Sequence, residues 1–74
     1  MELDETLAAI YTARRAKALA NLRILIQNPV GISQHSDIVA ETDKLVQQIA
    51  EADGCLEALS NYLKRHSSNE EDSE

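Results

Sequence analysis

Ile38, Thr42, Leu45, Ile49, Ala52, Leu56, Leu59 and Leu63 follow one another at alternating steps of four and three residues. No other feature narrows the available folds so much, because such steps lay one seam along a helix that faces a second helix. Every member except Thr42 is apolar, and Glu41, Lys44, Gln48, Glu51 and Glu57 fall off the seam as a solvated face should. The run predicts a helix over about 37–65. Ser36 or Asp37 can cap its start by accepting from orphan backbone N–H groups. Lys64, Arg65 and His66 complement the carbonyl end of the macrodipole. Asp53-Gly54 is also a turn dipeptide, yet Leu56, Leu59 and Leu63 keep the phase without a slip. One unbroken helix is expected, with Gly54 almost opposite the seam at a cost of about 1 kcal/mol relative to Ala.

A seam needs a partner, and the preceding residues supply one. A first helix is expected over about 4–28, with Asp4 as its N-cap and Pro29 as its stop. Its apolar stripe reads Leu3, Leu7, Ile10, Tyr11, Ala18, Leu22 and Leu25, with an average spacing closer to 3.6 than 3.5 residues. A straight helix is therefore expected there. Leu19 and Ile26 widen the stripe on one side, and Ile24 stands apart. The connection at 29–36 is short enough to join antiparallel neighbours, with Val30 and Ile32 folding back over the closed end. Leu25 should then face Ile38, Ala18 face Leu45, and Leu7 face Leu56. The fold class is all-α: a two-helix antiparallel hairpin over 1–66. Residues 67–74 lack any apolar side chain, so an acidic, disordered C-terminal tail is expected.

Composition narrows the function classes. With 74 residues the chain makes one small domain at most, near the size where a single core barely suffices. Tyr11 and Tyr62 are its only aromatic residues, so the core must be aliphatic. The net charge of −6 argues against binding phosphate backbones. Cys55 is the single cysteine, which excludes an internal disulfide and suits a reducing cytoplasm. The acidic start, Met-Glu-Leu-Asp-Glu, is unlike a signal peptide, and no apolar run reaches the roughly 20 residues of a membrane span. A cytoplasmic protein is expected.

Catalysis needs reactive groups within hydrogen-bond reach of one another. His35 in the turn and His66 at the open end should lie ~45 Å apart, at ~1.5 Å per residue. They cannot share a metal. Cys55 has no histidine at helical spacing and reads as an inert thiol at the seam's edge. No cofactor, metal or catalytic residue is expected, and the chain reads as a non-enzyme. Arg14 projects onto the first helix's stripe and Arg15 lies at its edge. Their stems can cover apolar surface while their heads meet Asp53, Glu51 or Gln48 across the hairpin. Alternatively, the pair grips an acidic partner or a phosphate, on a first helix that Arg14, Arg15, Lys17 and Arg23 make basic while the rest is acidic. Arg14, Arg15, Leu19, Arg23 and Ile26 are thus the candidate partner surface. The core seam is Leu7, Tyr11, Ala18, Leu22, Leu25, Ile38, Leu45, Ile49, Ala52, Leu56, Leu59 and Leu63.

Asn28-Pro29-Val30-Gly31-Ile32, then Asp37-Ile38-Val39, then Ile49-Ala50-Glu51-Ala52-Asp53-Gly54-Cys55-Leu56-Glu57 resembles small proteins of T-even-type tailed phages. The length and hairpin architecture are similar to those of the small helical-hairpin protein encoded beside the UvsW recombination helicase in those phages. The resemblance implies a phage protein of the host cytoplasm, linked by context to DNA recombination and repair. It brings no catalytic residues. The function expected is a protein–protein interaction module or accessory protein, docking onto another protein or forming a weak homodimer. A nucleic-acid-associated hairpin and a small regulatory subunit of an enzyme are the rival readings.

Overall fold

The computed structural model describes residues 2–27 and 37–72, with side-chain surroundings as far as His66. The expectations placed on the turn at 29–36, and those on residues 73–74, lie outside the described residues. Two helices, α1 (Leu3–Gln27) and α2 (Asp37–Asp72), pack along each other as an antiparallel hairpin measuring 62 × 21 × 14 Å. The molecule is an all-α rod. At 1.5 Å per residue α1 runs about 37 Å and α2 about 54 Å, so α2 outreaches its partner at the open end.

The start of α1 differs from the expectation. The Thr6 N–H and the Thr6 hydroxyl both donate to the Glu2 carbonyl, at 3.1 and 3.0 Å. Asp4 is therefore not the cap. It sits with Glu5 in the first turn, where negative charge meets the positive end of the macrodipole. α2 passes through Gly54 unbroken, and no glycine among the described residues has a positive φ. The end of α2 is a second difference: the helix continues to Asp72, past the expected end near residue 65 and into the expected disordered tail. After Gly54 the chain offers no proline or glycine to interrupt it, and the tail's lack of apolar residues does not by itself stop a helix.

Burial along α2 follows the seam. Between Asp37 and His66 the residues that are not exposed are Ile38, Thr42, Leu45, Ile49, Ala52, Cys55, Leu56 and Leu59. Thr42 keeps its place because its hydroxyl donates back to the Ile38 carbonyl at 2.7 Å, satisfying its polar group within the helix. Leu63 departs from the expected seam and is 40% exposed. It stands at the open end, where α1 runs out.

The larger correction concerns α1. Asp4, Ala8, Tyr11, Arg15, Ala18, Leu22 and Leu25 are all buried or half-buried, again at steps of four and three. That is a heptad seam of period 3.5, not the 3.6-residue stripe expected. Leu3 and Ile10, both assigned to the stripe, are exposed, at 72% and 39%. They fall one residue before the seam, beside Ile24 in the same column. Leu7 is half-buried on the seam's flank.

Among the described residues the buried set is small: Ala18, Leu25 and Ala52. Two of the three are alanines, which bring the helix backbones close but bury little area. Each large side chain shut in fully, as Leu25 nearly is, contributes about 1.5–3 kcal/mol. The hairpin is a thin, continuous seam with no thick core.

Candidate functional site

Numbering each helix in heptads, with its seam as a and d, sorts the remaining positions into two flanks. Turning one helix antiparallel to the other brings e beside e and g beside g, so the hairpin has two unlike sides. On α1 the e positions are Glu5, Thr12, Leu19 and Ile26, and on α2 they are Val39, Val46, Asp53 and Ser60. The g positions are Leu7, Arg14 and Asn21 on α1, and Glu41, Gln48, Cys55 and Tyr62 on α2. The surface relief agrees: Ile26 and Val39 share one shallow depression with Leu25, Ile38, Thr42 and Asp43. On the other side, Arg14 and Asn21 share a long groove with Glu41, Gln48 and Cys55.

The e side is apolar toward the closed end. Ile26 is 65% exposed, Val39 71% and Val46 47%, and Leu19 is half-buried among them. Toward the open end the same side turns polar. There the Arg15 Nε donates to Asp53 Oδ1 at 2.7 Å, across the hairpin. Both side chains are about half exposed, so this pair fixes an orientation more than it adds stability, at roughly 0–1 kcal/mol.

The g side is polar and mixed in sign. Arg14 hangs over the Tyr11 ring, with 5.9 Å from its guanidinium carbon to the ring centroid. That is the outer limit of a cation–π contact. Lys17, Lys44, Glu41 and Glu51 line the same groove, so neither charge dominates it. Cys55 is a half-buried free thiol at its edge. At the far end of α2 the Tyr62 and His66 rings lie 3.9 Å apart, one helical turn separating them.

The five candidate partner residues therefore do not form one surface. Arg14 belongs to the g-side groove and is exposed, not on the apolar stripe where its spacing puts it. Arg15 occupies the seam itself and is tied to Asp53, one of the partners its spacing suggested. Leu19, Arg23 and Ile26 remain together on the e side. Sequence reasoning missed Val39 and Val46, the α2 half of that patch. Their spacing of seven, one residue after Ile38 and Leu45, was the available signal.

Among the described residues, no three His, Cys, Asp or Glu side chains are grouped to hold a metal. No helix described is long and apolar enough to cross a membrane. No family model matches the chain, and no curated protein or solved structure matches it either.

Proposed function

We propose that this hairpin is a protein–protein interaction module of the cytoplasm, without chemistry of its own, and that its apolar e side is the docking face. The observation behind the reading is the exposure of Ile26, Val39 and Val46 together on one side of a rod whose seam is already filled. Exposed apolar side chains gathered on one side mark association sites more often than scattered single residues do. The setting in phage recombination and repair, implied by the resemblance, belongs to this proposal and would place the partner among the proteins of that process. A nucleic-acid role is less well supported: the arginines are divided between two sides, and Glu41 and Glu51 share the groove with Arg14.

Affinity capture with the intact chain and with Ile26→Glu tests the reading. Ile26 is largely exposed, so the substitution should leave the helical circular-dichroism signal unchanged. A protein recovered by the native chain and lost with the variant, a second copy of the chain included, is the expected result. Identical recoveries from the two would overturn the proposal for this face.

A further inference from the structure

We infer that the occupant of the apolar side is a second copy of this chain, related by a two-fold axis parallel to the hairpin, so that α1 of each copy lies beside α2 of the other. This rests on the docking-face reading above and names its partner. Three observations converge on it. The first is area. The chain exposes 5959 Å², whereas a compact monomer of its 8.2 kDa mass would expose about 4,500 Å². The excess belongs to the rod shape as a whole, and it leaves room for the roughly 800 Å² that each partner buries in a stable interface.

The second is the pairing of apolar side chains. Arg15 on α1 reaches Asp53 on α2, and Ile26 shares its depression with Val39, so the levels of the two helices are known. A two-fold parallel to the rod preserves those levels. It sets Ile26 against Val39 of the other copy and Leu19 against Val46. One column further out, Ala16 meets Ala50, both exposed and small enough for the helices to close to ordinary packing distance.

The third is charge. On the same outer column Arg23 stands at the level of Asp43, and both are exposed. The parallel axis therefore pairs Arg23 of each copy with Asp43 of the other. A two-fold across the rod, centred on the same patch, would instead bring Arg23 toward Arg23 and Asp43 toward Asp43. Opposite charges select the first arrangement and like charges penalise the second. The result is a four-helix bundle in which every neighbouring pair of helices is antiparallel.

Sedimentation equilibrium of the full chain at low salt, over a wide concentration range, tests the inference. The native chain should reach a dimer. Arg23→Glu and Asp43→Arg should each weaken it roughly three- to tenfold, each placing two repulsive pairs in the symmetric interface. The double variant should regain most of the lost affinity, which a merely structural role for either residue would not produce. Circular dichroism should show unchanged helicity in all three. A monomer at every concentration overturns the dimer, as does a dimer indifferent to the single substitutions. If the monomer nevertheless captures a protein that Ile26→Glu loses, the docking face stands and only its occupant was wrong.

Discussion

A Cβ added at Gly54 would meet nothing within 4 Å, and the backbone there is ordinary right-handed helix. Gly54→Ala should therefore stabilise the hairpin by about 1 kcal/mol, through helix propensity and reduced freedom of the unfolded chain. A rise in the urea midpoint would register it, and an unchanged or lower midpoint would mean that the glycine is needed in some other conformation. Arg15 presents the opposite situation, a charged residue in a seam position. Its ion pair with Asp53 is half exposed, and Asp53 stays in water if the arginine is lost. Arg15→Leu removes an interaction of under ~1 kcal/mol and adds apolar burial of similar or greater size. The variant should be as stable as the native chain or more so. Destabilisation by more than about 1 kcal/mol would show that the charge itself holds the pair of helices in register.

The two elements differ in how openly their sequences declare them. In α2 the seam is apolar at all but Thr42, so its phase could be read directly, through a glycine that looked like a break. In α1 the seam passes through Asp4, Ala8 and Arg15, while Leu3, Ile10 and Ile24 sit outside it. Counting apolar residues thus returned the wrong period. The physical cause is that a two-helix seam need be apolar on one side only where the other side can snorkel, as the Arg15 stem does. For the same reason, half of the candidate docking face stayed hidden, since Val39 and Val46 look like spare residues until the flank of α1 beside them is known. Amide exchange should follow the packing. Leu45 to Leu59 in α2 should exchange most slowly, and amides near Leu3 and Leu63, both exposed, should exchange fast. Slow exchange maintained undiminished through Asp72 would contradict this, because no part of α1 lies alongside that end.

At the scale of the whole molecule, the rod is long and thin, and how copies associate would show in its length. Pairing side by side along the parallel axis doubles the mass while the longest dimension stays near 62 Å. Small-angle scattering at increasing concentration should therefore show mass rising without elongation. A longest dimension approaching twice the monomer's would mean end-to-end association and would exclude the shared apolar side. The antiparallel course of the chain has a mechanical consequence as well. Leu3 and the later turns of α2 emerge at the same end of the rod, where Leu3 and Leu63 are barely gripped. A load applied between them would open the seam one layer at a time, from its weakest layer toward Ala18 and Leu25. The same two helices pulled from opposite ends would have to slide past each other with every layer strained at once. This fold, gripped at its open end, is a zipper under tension, whereas a parallel pair of the same helices would be a splice.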